Sequence, residues 1–453
     1  MPSVGESLLQ VPAPNCPRKR DSGILAMELG GENLREARWH SFASRILLLI
    51  SLLFFIYLAV RRAVAAAYFR KGAPNAVQTA IRWDPANPEY YDALGTLMHL
   101  YADRPNPDEI VQLYQSATRL STQDAHFWAD LGAGYDWAGR SNDALGAFQH
   151  ARRLFPNSPE INWRLANFYV RAGKTPEALR TLGMVLQEDG SAGKRVFMLA
   201  TNATRDRNEI LKILPPQPLV FFDYLNFLIE KSDIAGAEEV WARVLHLDLP
   251  FDIREAFPYL DALIQHAELR QLSNVWSALA QRFPAQVQRP VQSSNLVTNG
   301  GFESDILNGG LDWRVLPTEG AVVSLDSVGA FEGPHALRIT FDGSRNIDYG
   351  HVFQYVPVQA KTRYRFSGHL RVQEITTDSG PRFQICDAYN TGNTFVSSEN
   401  LVGTSGWSDQ HAEFTTLADT RLLLVRVVRP LSDKLDNQIA GSVWIDDVRL
   451  TSE

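Results

Sequence analysis

Basic side chains recur at alternate positions of the stretch RYRFSGHLR, residues 363–371. Side chains of a β-strand alternate between its two faces, so one face carries Arg363, Arg365, His369 and Arg371. The stretch PRFQICD places Arg382 on the polar face of a second strand. If these strands are neighbours, the four arginines form one surface, and guanidinium groups bind carboxylates in bidentate geometry. We therefore predict an anionic ligand, such as uronic acids or a pyruvylated glycan. A solvated face paired with the domain's own acids is the alternative.

Aromatic residues on predicted loops and strand ends could supply a platform for a sugar ring. The candidates are Tyr349, His351, Tyr389 and Phe395. A pyranose buries its apolar C–H face on an aromatic ring, while its hydroxyls need hydrogen bonds at the edge. We predict that Tyr349 and Tyr389 contact the ligand beside the arginines.

The elements that must position these residues are short strands. Eight segments with alternating polar and apolar residues follow a Pro/Gln/Ser-rich linker, and Gly, Asn, Asp and Pro separate them. They are AVVSLDS, HALRITF, HVFQYVPV, RYRFSGHLRVQE, PRFQICDA, QHAEFTTL, RLLLVRVVRP and GSVWIDDVRL. This pattern predicts an all-β antiparallel sandwich, most simply a jelly roll.

Two motifs bracket this region, NLVTNGGFE at Asn295–Glu303 and VWIDDVRL before the C-terminus. With GPHAL at residues 333–337 and the pair Phe353-Gln354, they resemble galactose-binding-like jelly rolls, above all the carbohydrate-binding modules of xylanases and cellulases. The resemblance implies a structural calcium held by Glu303 with Asp446 or Asp447. Calcium takes six to eight oxygen ligands, so it could tie the first strand to the last. The alternative is that both aspartates are ordinary solvated or capping acids. The resemblance also makes core packing the better interpretation of Trp407 and Trp444.

A helical repeat precedes the sandwich. Counted from Ala125, one unit has the residues that define a helix–turn–helix repeat: Trp128, Leu131, Gly132, Tyr135, Ala144, Phe148, Ala151 and Pro156. A shift of 34 residues reproduces the pattern at Leu165, Ala166, Tyr169, Ala178 and Leu182. The segment resembles tetratricopeptide repeat proteins, which implies an all-α solenoid whose concave surface binds proteins or peptides. All of these are packing positions, so they do not identify a partner.

An apolar segment lies near the N-terminus. Ile46–Val60, ILLLISLLFFIYLAV, carries no charge, and Arg61 and Arg62 follow it directly. As a helix it is about 22 Å long, and extension to Phe42 with snorkelling arginines brings it near the roughly 30 Å of a bilayer core. We predict a single-pass transmembrane signal-anchor. A cleaved signal peptide, with AVAAA at 63–67 as the cleavage site, and a buried helix are the alternatives.

The predicted organisation is therefore a disordered tail at 1–41, a transmembrane helix at 42–62, a tetratricopeptide solenoid at 64–286, a linker at 287–294 and a sandwich at 295–453. The formal net charge of −7 and the lack of a Lys/Arg-rich run give no basic field for a nucleic-acid backbone, so we predict no nucleic-acid partner. No HExxH, GxSxG, Walker or CxxC motif occurs in the sequence, so we predict that the protein is not an enzyme. A hydrolase with an unrecognised pair of carboxylates is the least favoured alternative.

The expected function is that of a non-catalytic scaffold anchored in the inner (cytoplasmic) membrane, with its large C-terminal part outside the cytoplasm. The solenoid would bind proteins, and the sandwich would bind a cell-envelope glycan, in export or assembly of surface polysaccharide. The alternative is a pure protein adaptor whose jelly roll is structural. The flanking charges do not decide the orientation: Arg35, Arg38 and Arg45 lie on one side, and Arg61, Arg62, Arg70 and Lys71 on the other.

Overall fold

The computed structural model describes residues 30–287 and 294–453. Most of the predicted tail and of the predicted linker lie outside these residues. The described residues form two compact units, one ending at Leu154 and the other beginning at Phe155.

The first helix, α1, runs from Gly30 to Phe69. It is longer at both ends than the predicted 42–62 segment, because residues 30–41 and 63–69 continue the same helix. Within the described residues, Ser44–Phe69 is the one helical stretch long and apolar enough to cross a membrane, and none of its most apolar window is buried. Beyond Val60 the helix joins a packed core, since Ala65 is buried together with Val77 and Ala80.

Thirteen further α-helices follow in the described part of the chain. They are α2 Pro74–Trp83, α3 Pro88–Tyr101, α4 Pro107–Leu120, α5 Ala125–Trp137, α6 Ser141–Leu154, α7 Pro159–Arg171, α8 Thr175–Glu188, α9 Gly193–Ala203, α10 Arg207–Ile213, α11 Pro218–Glu230, α12 Ile234–His246, α13 Phe257–Gln265 and α14 Leu269–Arg282. Several begin with proline after a side-chain cap: Asn87 accepts from the amide of Glu89, and Asn106 accepts from that of Asp108.

Glycines let large rings enter between the helices of the first unit. A Cβ on Gly132 would lie 2.9 Å from the ring of Phe148, so the repeat glycine and the repeat phenylalanine pack on each other. Tyr114 of α4 is held in the same way between Gly95 of α3 and Gly134 of α5. The repeat positions Gly95, Gly132, Tyr114 and Phe148 are therefore packing positions, as their periodicity requires.

The C-terminal region consists of two antiparallel sheets of five strands each. The strands described are β1 Arg314–Val315, β2 Ala321–Asp326, β3 Ala336–Asp342, β4 Tyr349–Pro357, β5 Arg363–Ile375, β6 Arg382–Asp387, β7 Thr394–Ser397, β8 Gly403–Thr415, β9 Leu422–Arg429 and β10 Ala440–Ser452. Sheet I has the order β1-β4-β9-β6-β7, and sheet II has the order β2-β3-β10-β5-β8. The two short strands β1 and β7 are additional to the eight predicted.

The bracketing motifs lie side by side. The amide of Leu296 donates to the carbonyl of Leu450, and the amide of Val448 donates to the carbonyl of Gly300. A Cβ on Gly300 would lie 2.1 Å from the Val448 carbonyl oxygen, so only glycine allows this approach. The chain thus closes the sandwich by laying its first segment along its last strand.

Candidate functional site

The predicted surface of four arginines does not form. β5 belongs to sheet II and β6 to sheet I, so Arg382 lies on a different sheet from the other three. Arg363 and Arg365 remain together on β5, but each forms ion pairs with both Glu413 and Glu453. Two carboxylates therefore neutralise these two guanidinium groups, which leaves them poorly suited to hold an acidic ligand.

Arg371 and His369 join an aromatic cluster on the outer face of sheet II. The guanidinium of Arg371 lies 4.0 Å from the ring centroid of Trp444 and 5.6 Å from that of Trp407. His369 stacks on Phe331 with 3.6 Å between the ring centroids. Trp444 is buried as expected, but under Arg371 and not between the sheets, and Trp407 is only half-buried.

The two predicted tyrosines lie in different surroundings: Tyr349 is in the core, whereas Tyr389 is exposed. Tyr349 is buried, and burial raises the pKa of its hydroxyl. The hydroxyl of Tyr389 donates to the carbonyl of Ile264 in α13 at 2.7 Å. Tyr389 thus attaches the β6–β7 loop to the helices, and Tyr349 is a core residue.

A row of side chains crosses the outer face of sheet I, and the sequence pattern did not predict that these residues are neighbours. Strand pairing sets its members opposite one another, and we call it the cross-strand row: Arg314, Phe353, Arg426, Gln384 and Ser397. At its centre, Nε and Nη2 of Arg426 donate to Oε1 of Gln384 at 2.9 and 2.5 Å. The rings of Phe353 and Tyr355 meet edge to face, 5.6 Å apart. Phe353, Arg426 and Gln384 are half-buried, so a ligand can still reach them.

Arg382 lies on the same outer face, two residues before Gln384 on β6. Its Nη2 donates to Oδ1 of Asn400 at 3.2 Å, while its buried Nε has no hydrogen-bond partner among the described residues. Burial lowers the pKa of Arg382. Neither Arg382 nor Arg426 forms an ion pair within the described part of the chain, unlike Arg363 and Arg365.

Helices border one side of this face. Arg314 forms an ion pair with Asp261 of α13, and its Nη2 donates to the carbonyl of Gly310. Leu422 is buried in the core that includes α11 to α14, and Tyr355 packs against that core. The C-terminal helices therefore cover the Arg314 end of the cross-strand row and the part of sheet I nearest Tyr355, and they leave Phe353, Arg426 and Gln384 half-buried beside them.

The three predicted calcium ligands are not equivalent. Asp446 is fully buried, and its Oδ2 accepts from the amides of Phe331 and Glu332 at 2.8 and 3.1 Å. Burial raises the pKa of Glu303, and the charge of Asp446 raises it further. Burial also raises the pKa of Asp446. Asp447 instead forms an ion pair with Arg449 at 2.5 Å.

The donor chemistry at this position fits a calcium site in part. Glu303 and Asp446 are hard oxygen donors near enough to repel each other, whereas Asp447 is engaged elsewhere. A Cβ on Gly333 would lie 1.9 Å from Oε1 of Glu303, so glycine is required beside the carboxylate. Among the residues described, no group of three or more His, Cys, Asp or Glu side chains could hold a metal ion. Any further ligands would be carbonyls or water.

A groove of about 740 Å³ lies in the helical part of the second unit. Helix α8 contributes Leu179, Gly183 and Met184, and the segment after α10 contributes Pro215 and Pro216. Arg180, Glu209 and Lys212 lie at the same groove. The lining combines apolar and charged side chains, and this combination is suited to binding a peptide segment.

Comparison with known proteins places a tetratricopeptide repeat family model on residues 137–203. The chain is 26% identical over 130 residues to the formate-dependent nitrite reductase complex subunit NrfG of Escherichia coli O157:H7; the match covers 28% of this chain and 65% of that protein. The chain thus spans just under two thirds of the length of this relative.

Solved structures resemble each part of the chain separately. A MamA protein matches 43% of this chain and 98% of its own, at 16% identity and a TM-score of 0.30. The carbohydrate-binding module TmCBM61, solved with β-1,4-galactotriose, matches 36% of this chain and 100% of its own, at 19% identity and a TM-score of 0.26. These scores are low, so the sandwich architecture rests on its own strand order. The chain combines tetratricopeptide repeats in an all-α solenoid with a C-terminal β-sandwich similar to the jelly rolls of carbohydrate-binding modules.

Proposed function

We propose that this protein is a membrane-anchored, non-catalytic scaffold that binds proteins through its helical repeats and an acidic saccharide through sheet I of its sandwich. Helix α1 would be the anchor, with the large C-terminal part outside the cytoplasm. The proposal extends to a role in export or assembly of surface polysaccharide, where a partner protein and a glycan must be held together. The match to a subunit of an enzyme complex supports the protein-binding part.

The observation that carries the saccharide proposal is the cross-strand row. Phe353 offers an apolar ring, and Arg426 and Gln384 offer hydrogen-bond donors on the strands beside that ring. Sugar sites combine these two elements, since C–H faces pack on aromatic rings while hydroxyls bind polar groups. Arg382 and Arg426 have no acidic partner among the described residues, so they favour a saccharide that carries carboxylates.

The test is binding of the full-length protein in detergent to acidic and neutral polysaccharides. We expect binding to the acidic glycans and a loss of at least about tenfold in Arg426→Ala and in Phe353→Ala, because a charge-assisted hydrogen bond contributes roughly 1.5–3 kcal/mol. Arg365→Ala is the matched control, since Arg365 is an exposed arginine of sheet II already paired with Glu413 and Glu453. Loss of binding in Arg365→Ala with Arg426→Ala unchanged would place the site on sheet II instead.

A second candidate function, a pure protein adaptor, is favoured by the position of the helices. Tyr355 and Leu422 pack against them, Arg314 is paired with Asp261, and Tyr389 is bonded to Ile264. These contacts use part of sheet I to hold the sandwich in place. No binding to any polysaccharide by the folded protein, together with retention of a protein partner by the repeats, would favour this function.

We further propose a structural calcium ion held by Glu303 and Asp446. A divalent cation would offset the repulsion between these carboxylates, which adds to the effect of burial in raising the pKa of Glu303. The ion would fasten the segment after Asn295 to β10 and the loop at Gly333, without taking part in any reaction. Asp447 is not included in this proposal, because Arg449 already binds it.

A further inference from the structure

Helix α1 passes without interruption from its apolar stretch into the first packed helices. Ala65 is buried with Tyr90 and Leu94 of α3, and Tyr68 and Phe69 pack against the same cluster. No flexible linker separates the apolar stretch from the helical repeats. The height of the first repeat above a membrane that α1 spans is therefore set by the helix itself.

Helix α2 runs back along α1 toward the apolar stretch. Nε of Arg61 donates to the carbonyl of Trp83, the last residue of α2, at 2.8 Å. Beside this bond, Arg62 approaches Asp84 to 4.0 Å. Arg61 directly follows Val60, which ends the uncharged segment, and one residue of helix rises only about 1.5 Å. The end of α2 therefore lies at the level where the apolar stretch stops.

The indole of Trp83 is available at this level, since the residue is 41% exposed. Arg82 precedes it and is exposed, and Arg61 and Arg62 lie on the neighbouring helix. The acid nearest in sequence, Asp84, is paired with Arg62. Tryptophan favours the boundary between acyl chains and headgroups, and arginine binds lipid phosphates, so this composition matches a lipid surface.

We propose that Trp83, with Arg61 and Arg82, is an interfacial lipid contact that holds the first helices against the headgroup layer. The inference rests on the membrane anchor of the proposed function and adds a second attachment beside it. The occupant of this surface is a phospholipid headgroup with the upper part of its acyl chain. The contact fixes the orientation of the first repeat, because α1 alone would leave the protein free to rotate about the helix axis.

The experiment uses the full chain reconstituted in vesicles that contain phospholipids brominated near the headgroup. Bromine quenches nearby indoles, and the chain has ten tryptophans, so variants are compared with the wild type. Trp83→Phe removes one indole near the bromine atoms. We therefore expect brominated lipid to quench a smaller fraction of the total tryptophan emission in this variant than in the wild type. Trp137→Phe is the matched control, because Trp137 is 40% exposed in the same unit but lies at the end of α5, where its ring contacts His99 of α3.

Flotation of the same vesicles after carbonate extraction separates the two proposals. If the chain floats, and Trp83→Phe shows the same quenching as the wild type, the lipid contact is wrong while the anchor stands. If the chain does not float, the anchor and the contact are both wrong. Circular dichroism of Trp83→Phe shows that its helices are formed. Arg82→Gln is a second test. Loss of its headgroup contact should reduce the quenching of Trp83, relative to the wild type, in vesicles with anionic lipids.

Discussion

Gly310 lies against the indole of Trp276, so closely that a Cβ on Gly310 would come within 2.4 Å of Cζ3. Gly310 belongs to the sandwich region and precedes β1, whereas Trp276 lies in α14 and is almost fully buried. Gly309 makes a similar approach to Phe257 of α13. The helices and the sandwich of the second unit are thus joined by a packed contact, which two adjacent glycines permit.

We expect Gly310→Ala to weaken the contact between the sandwich and the helices and to lower the urea midpoint of unfolding. The new methyl group would overlap the Trp276 ring, and the backbone has a φ of +60° that favours glycine. Overpacking of this kind costs about 1–3 kcal/mol beyond the backbone strain. Gly403→Ala is the control, because Gly403 has a φ of +70° and its added methyl group would have no neighbouring atom within 4 Å. Equal urea midpoints for the two variants would show that the close contact is unimportant.

Arg429 should contribute strongly to the stability of the sandwich. Its side chain is fully buried, and its guanidinium donates to the carbonyls of Ile347, Ser379 and Asn437 at 2.7, 3.0 and 3.0 Å. Arg429→Met would leave these carbonyls without a partner, and each buried unsatisfied group costs about 1–3 kcal/mol. We expect the free energy of unfolding, measured by chemical denaturation, to fall by at least about 3 kcal/mol. Arg421→Met is the control, because Arg421 is exposed, and it should lower the free energy of unfolding far less. A similar decrease for both variants would contradict the structural role of Arg429.

Asp312 should make the sandwich less stable as the pH rises. Burial raises the pKa of its carboxyl to about 6, although the amide of Leu307 donates to it. An acid whose pKa is higher in the folded state stabilises the fold below its unfolded pKa, and this contribution is lost as the pH rises through the folded value. We therefore expect the melting temperature to fall between about pH 4 and pH 6, and Asp312→Asn to weaken this dependence. The exposed Asp305→Asn should retain the wild-type pH profile; an unchanged profile in Asp312→Asn would contradict the prediction.

Calcium should raise the melting temperature of the wild-type protein if Glu303 and Asp446 bind it. A ligand present at a hundred times its Kd stabilises the folded state by about 2.7 kcal/mol. Glu303→Gln should remove this response, whereas Glu319→Gln should retain it, because Glu319 is exposed and pairs with Arg345. The melting temperature is measured with calcium and with a chelator. An equal response in Glu303→Gln would show that calcium binds elsewhere.

Glu303 and Asp446 should also make the melting temperature depend on pH, and bound calcium should suppress this dependence. The pKa values of Glu303 and Asp446 are raised by burial, so in the chelator their stabilising contribution is lost as the pH rises through the folded values. With calcium bound, the ionised forms are favoured and the loss should disappear. Melting temperatures at several pH values, with and without calcium, test this. An identical pH profile under both conditions would contradict calcium binding at Glu303.

The helical repeats could be predicted from the sequence because their determinants are local. Leu131, Gly132 and Phe148 belong to one repeat, and the structure confirms that all three are buried and that Gly132 packs on the ring of Phe148. Alternation along β5 likewise placed Arg363 and Arg365 on one face, as the structure has them. In both cases the relevant partner lies within a few helical turns or on the same strand.

Strand neighbours could not be predicted in this way. β5 pairs with β10 and β8, and β6 pairs with β9 and β7, so Arg371 and Arg382 lie on different sheets. The sequence pattern favoured a loop platform for Tyr349, but this residue is part of the core. The cross-strand row was missed because its members come from five strands, and no local pattern marks which residues will stand in register.

The sequence by itself thus determined the classes of the domains, the apolar helix and the face of each strand, because periodicity is a property of consecutive residues. Only the tertiary structure decided which arginines have acidic partners, which glycines receive rings, and which side of the sandwich contacts the helices. Those relationships depend on pairings such as Arg314 with Asp261 and Arg365 with Glu453, separated by tens of residues along the chain. They arise when the sheets and helices pack as a whole, and a local pattern contains no information about them.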